Sequence, residues 1–78
     1  MDTGEILMES DKNSREVLRV SLREYSGHRF ADVRSWYRTT TGAELKPGKG
    51  ATVKPELLPD VIAALQAAQA RFEAEGSQ

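Results

Sequence analysis

Hydrophobic and polar residues alternate through Arg-Glu-Val-Leu-Arg-Val-Ser-Leu-Arg-Glu-Tyr, residues 15–25. Leu18, Val20 and Leu22 fall on one side of an extended chain; Arg19, Ser21, Arg23 and Tyr25 fall on the other. A period of two predicts an antiparallel strand with one face on a core and one face open. Ser26-Gly27-His28 is a turn signal, and Arg-Phe-Ala-Asp-Val-Arg-Ser-Trp-Tyr-Arg, residues 29–38, reads as the returning strand of a hairpin. Thr39-Thr40-Thr41-Gly42 closes it. Two shorter strands are expected at residues 43–46 and 50–54, on either side of Pro47-Gly48. Proline presets φ for the first turn position and glycine tolerates positive φ at the next, which predicts a type II turn between them.

The period then changes. Leu58, Val61, Ile62, Leu65 and Phe72 recur three and four residues apart and predict an amphipathic helix over residues 54–75. Pro55 suits its first position and Glu56 its positive end. Pro59 removes an early backbone hydrogen bond, so the first turn is expected to bend there. The terminal Glu-Gly-Ser-Gln is expected to fray, and residues 1–13, polar and acidic around Ile6-Leu7-Met8, to form a flexible arm. Residues 14–75 then make one α+β domain, four antiparallel strands followed by one helix. One helix cannot cover both faces of such a sheet. The face with Arg19, Arg23 and Tyr25 is the one expected to be left for a partner.

Composition narrows the classes. At 78 residues the chain is one small domain with a marginal core, and without cysteine it has neither a disulfide framework nor a thiolate metal site. Oligomerisation is the remaining way to support so small a fold. A single histidine, His28, makes no zinc site. No signal-peptide pattern opens the chain, and no apolar run approaches the roughly 18 residues of a membrane span, so an intracellular protein without a membrane partner is expected.

The net charge of −1 hides a segmental pattern. Residues 1–13 carry −3; residues 14–54 set nine cations against four carboxylates, +5; residues 55–78 carry −3. Six of the nine central cations are arginines, whose flat guanidinium groups suit phosphates and base planes.

Catalytic patterns fail. Gly48-Lys49 is followed by Gly50, which has no hydroxyl for magnesium, and Ala43 stands where a phosphate loop needs its first glycine. His28 sits in a turn with no carboxylate placed to orient it. What remains is a basic strand pair with Tyr25, Phe30, Trp36 and Tyr37 set among the arginines. Cations follow a phosphate backbone and aromatic faces stack on unpaired bases, which favours single strands over duplex. Phe30 and Trp36 share a face and read as core; Tyr25 and Tyr37, at strand ends, read as stacking residues, with Trp36 the base-stacking residue instead of Tyr37 if the second strand faces the other way.

Leu-Arg-Glu-Tyr-Ser-Gly-His-Arg-Phe-Ala-Asp-Val-Arg-Ser-Trp-Tyr, then Gly42, Glu-Leu-Lys-Pro-Gly-Lys-Gly and Lys-Pro-Glu-Leu-Leu-Pro-Asp-Val, form an ordered set. It resembles the transcriptional coactivator positive cofactor 4 (PC4-like) family, over about Arg15 to Leu65, in the compact form of its bacterial or phage members. The resemblance implies a curved four-stranded antiparallel sheet followed by one helix. It also implies a homodimer packed through the helices, and single-stranded DNA bound along the sheet without cofactor, metal or catalysis. By position, Tyr25 and Tyr37 match the family's stacking aromatics, with Trp36 beside the second. Arg23 and Arg34 match basic contact positions, and Lys46 and Lys49 the basic residues flanking Pro-Gly. Arg19 joins them on the same strand face, and Leu58, Ile62 and Leu65 are the expected dimer stripe.

Ser26 and His28 stand where the family often has lysines, the basic loop is one cation shorter, and no serine-rich regulatory segment is present. The expected function is single-stranded DNA binding with little sequence specificity, in transcription, replication or repair. Partners are the DNA, a second copy and the transcription machinery. The location is cytoplasm or nucleoid in a bacterial or phage setting, the nucleus in a eukaryotic one. RNA binding, and a protein-interaction module using the same basic face, are the alternatives the residues leave open.

Overall fold

The computed structural model describes residues 4–42 and 44–76. Residues 1–3 of the expected arm, Ala43 of an expected short strand, and Ser77 and Gln78 of the expected frayed end lie outside the described residues. Four strands, β1 (Glu5–Asp11), β2 (Glu16–Tyr25), β3 (His28–Arg38) and β4 (Leu45–Val53), form one antiparallel sheet in the order β1-β2-β3-β4. A short 3₁₀ turn (Pro55–Leu57) leads into α1 (Leu58–Gly76). This is the expected architecture, built partly from unexpected segments.

The β2–β3 hairpin is as the alternation implies. Ser26 at φ 52° and Gly27 at φ 79° make a two-residue turn with both φ values positive, the primed geometry whose twist matches paired strands. The register then runs unbroken from Tyr25↔His28 to Glu16↔Tyr37. Ladder partners share a face. Val17, Arg19, Ser21, Arg23 and Tyr25 therefore lie with Trp36, Arg34, Asp32, Phe30 and His28 on what is here called the arginine face. Leu18, Val20 and Leu22 lie with Ser35, Val33 and Ala31 on the aliphatic face.

Residues 5–11 are an edge strand rather than an arm. Asn13 makes the entry possible: its Oδ1 accepts hydrogen bonds from the Arg15 and Glu16 amides, both at 2.9 Å, and folds β1 back onto β2. A register shift between Ile6 and Met8 leaves Leu7 as the extra residue.

Residues 45–53 are one strand rather than two around a type II turn. Arg34 pairs with Gly50 but Trp36 with Pro47, so two steps along β3 match three along β4, and the Gly48-Lys49 step forms a bulge. Glycine is required because β3 passes so close. A Cβ on Gly50 would lie 2.5 Å from the Val33 carbonyl oxygen and 2.7 Å from Arg34 Cα. Pro47 is tolerated because β4 is the sheet's edge.

The helix starts as expected, with Pro55 in the 3₁₀ turn and Pro59 in the first turn of α1, where its missing N–H has no partner to lose. It covers neither face of its own sheet, which corrects the expectation of one covered face. Among the described residues it packs mainly on the 3₁₀ turn, and none of its residues is buried. Ile62 and Leu65 remain 49% and 63% exposed, and Leu58 is half-buried. The core is correspondingly thin: Val17, Ala31, Ser21 and Asp32 are the buried residues of the sheet.

Candidate nucleic-acid interface

Asp32 is the most enclosed side chain, at 0% exposure, and it is charged. It sits on the arginine face opposite Ser21, two residues before Arg34 on β3 and diagonal to Arg23 on β2. Arg34 Nε donates to both carboxylate oxygens at 3.1 Å and Nη2 to Oδ1 at 2.8 Å. Arg34 Nη1 donates to the Gly48 carbonyl in the bulge at 2.8 Å, and Arg23 Nη1 reaches Asp32 Oδ2 at 3.3 Å. The hydrogen bonds to Asp32 raise the Arg34 pKa above its ordinary value, against the opposing pull of burial. A carboxylate removed from water is tolerable only when paired in this way. The three groups together keep a net positive charge and hold both guanidinium planes in fixed orientations.

Beside this cluster is an open cleft of about 380 Å³, lined by Arg23, Tyr25, Phe30, Asp32, Arg34 and Pro47 among others. Tyr25 stands at its rim, 70% exposed. Phe30, across the ladder from Arg23, is half-buried. Further along the same face the Arg19 guanidinium lies 4.3 Å from the centre of the Trp36 ring, and Glu9 of β1 accepts its Nε–H at 2.8 Å. Trp36 Nε1 is buried with no hydrogen-bond partner among the described residues.

The face thus gathers Arg19, Arg23, Tyr25, Arg34 and Trp36. Tyr37 and Lys46, paired with each other across β3 and β4, lie on the aliphatic side, both exposed. Tyr25 and Tyr37 are therefore at opposite ends and on opposite faces of the hairpin, and of the neighbours Trp36 and Tyr37 it is Trp36 that shares the arginine face with Tyr25 and Phe30. That corrects the expectation of two tyrosines together at adjacent strand ends, while Trp36 is half-buried on the face it shares with Phe30, and Tyr37 is exposed, as expected. Lys49 is exposed in the bulge. Asp32 and Glu9 were not singled out by sequence reasoning. For Asp32 a signal existed: Asp-Val-Arg in a strand puts the acid and the arginine side by side on one face. For Glu9 none did, because its strand was not foreseen.

The family model for Transcriptional Coactivator p15 (PC4) matches residues 12–64, from the β1–β2 turn into α1. The chain belongs to the PC4 family. That family binds single-stranded DNA and acts in transcription. A PC4 homolog from Burkholderia pseudomallei, in its orthorhombic crystal form, superposes with a TM-score of 0.76 at 33% identity, covering 88% of this chain and 93% of that one. Its tetragonal form gives 0.77 at 32% identity, covering 86% and 98%. No curated protein matches the chain significantly. The PC4 match includes the whole β2–β3 hairpin, the bulge in β4 and the start of the helix, the elements that position the arginine cluster and cleft. Among the described residues, no helix is long and apolar enough to cross a membrane.

Proposed function

We propose that this PC4-family chain is a non-enzymatic single-stranded DNA-binding module that reads little sequence, working as a homodimer on DNA unpaired during transcription. The observation that carries this reading is the cleft on the arginine face. There an exposed Tyr25 stands beside Arg23 and Arg34, whose planes Asp32 fixes in advance. Bases stack on Tyr25, and phosphates meet the solvent-facing edges of the two guanidinium groups. Because β4 is the sheet's edge, a strand leaving the cleft over the bulge passes Lys49, then Lys46 and Tyr37 on the far side. Preorganised cations lower the ordering cost of binding.

The dimer reading is supported by what a single chain leaves bare. The stripe of Ile62 and Leu65 has no partner in its own sheet, and the aliphatic face of Leu18, Val20, Leu22 and Val33 has no helix upon it.

Tyr25 gives the direct test. Tyr25→Ala is expected to weaken single-stranded DNA binding by roughly 1–3 kcal/mol, about 5- to 150-fold, while Tyr25→Phe, which keeps the ring face, binds almost normally. Thermal melting should barely change, since the ring is mostly in water. Equal affinity of Tyr25→Ala and wild type in a fluorescence-anisotropy titration would remove the cleft as the binding site.

A further inference from the structure

The acidic strand β1 folds directly against β2, inside the basic middle of the chain. In β1, Glu9 pairs with Arg19 and Asp11 with Val17, so both carboxylates stand on the arginine face. Glu9 Oε2 accepts hydrogen bonds from Arg19 Nε and Nη2. The same guanidinium covers the Trp36 ring, so carboxylate, cation and indole are stacked, and the Arg19 side chain is only 15% exposed. Asp11 Oδ1 reaches past β2 to Arg38 Nη2 at 3.5 Å.

These carboxylates differ from Asp32. Asp32 is enclosed and cannot be exchanged without emptying the centre of the face. Glu9 and Asp11 are exposed, on an edge strand whose pairing is already broken by a register shift and whose Ile6, Leu7 and Met8 are in water. Both carboxylates keep access to water, so their pairs add little net stability and a phosphate that also brings counterion release can take a carboxylate's place.

We propose that β1 is an intramolecular competitor for the nucleic-acid face: Glu9 and Asp11 occupy the guanidinium groups of Arg19 and Arg38 until phosphates of a bound strand displace them. This rests on the proposed reading of that face. Arg34, held by Asp32 and the Gly48 carbonyl, stands outside this competition, and Arg19 and Arg38 join only when the ligand supplies several phosphates at once. Short or weakly charged ligands therefore meet a smaller site than the arginine count implies, and the carboxylates set how readily the strand is released.

The test is an anisotropy titration of a labelled single-stranded oligothymidylate over a salt series, with wild type, Glu9→Gln and Glu9→Gln/Asp11→Asn. Glu5→Gln is the control, because it removes the same charge from the same strand but pairs with Leu22 on the aliphatic side. Each carboxylate removed is expected to tighten binding about 2- to 5-fold. The slope of log affinity against log salt should steepen by about 0.7 for each arginine released to a phosphate. Glu5→Gln should stay within about twofold of wild type, since its carboxylate pairs with neither Arg19 nor Arg38. Unchanged or weaker binding by Glu9→Gln, with wild type binding well, overturns the competition and leaves the site standing. Equal tightening by Glu5→Gln also overturns it, since net charge alone would then explain the gain. Absence of binding by all four proteins overturns the reading of the face and the competition with it. Melting curves report the fold, and if Glu9→Gln unfolds, Asp11→Asn alone carries the same test at Arg38.

Discussion

Asp32 holds its position because three hydrogen bonds from Arg34 Nε and Nη2 and one from Arg23 replace the water it has lost. In return it fixes two arginines that would otherwise repel each other. Asp32→Asn keeps the shape and removes the charge, leaving those cations facing a neutral amide. The expected cost is about 2–3 kcal/mol, below the roughly 3–5 for a fully buried broken pair because both arginines are partly in solvent. The loss should be read as a lower urea midpoint, and an unchanged midpoint would mean that the cluster does not support the sheet. The presence of arginines and aromatics in this region was legible from residue types alone. Tyr25 was read on their face, but which of Trp36 and Tyr37 joins it was not, although the turn contains the answer. A two-residue Ser-Gly turn pairs Tyr25 with His28, and counting back along the ladder puts Trp36 opposite Val17 on the arginine face. Tyr37 is exposed and Trp36 half-buried, as read, but placing Tyr37 with Tyr25 followed position along the strand instead of register.

Among the elements, the central hairpin and the helix were legible because each shows its period over ten residues or more. The two edge strands were not. β1 has no alternation, since all its residues are exposed and a bulge interrupts it, so its polarity resembles that of an arm. β4 contains Lys-Pro-Gly-Lys-Gly, whose proline and glycines are turn residues anywhere except an edge strand lying tightly on its neighbour. Gly50 separates the two readings experimentally. At the tip of an exposed turn, Gly50→Ala would be nearly neutral. In the bulged strand its methyl group must enter the β3 backbone, and overpacking of that kind costs about 1–3 kcal/mol. Denaturant melts of Gly50→Ala should show that loss, and a wild-type midpoint would restore the turn.

For the molecule as a whole, the sheet carries one charged aromatic face and one aliphatic face, and the helix stands off both. A single chain arranged in this way leaves an apolar stripe in water, which is the physical case for a second copy. Ile62→Asp alters few contacts within the chain but would place an unpaired charge in the proposed interface, so the variant is expected to sediment at the single-chain mass at micromolar concentration while wild type sediments at about twice that. Equal masses would remove the helix from the interface.

The central claim is that unpaired bases, and not charge alone, give the arginine face its ligand. It is tested most directly by competition at fixed salt between a labelled single strand and unlabelled single-stranded or duplex DNA of equal length. Stacking of one or two bases predicts that the unlabelled single strand competes about tenfold or more better than duplex. Duplex that competes equally well would contradict it, because both DNAs offer phosphates and only one offers free base faces.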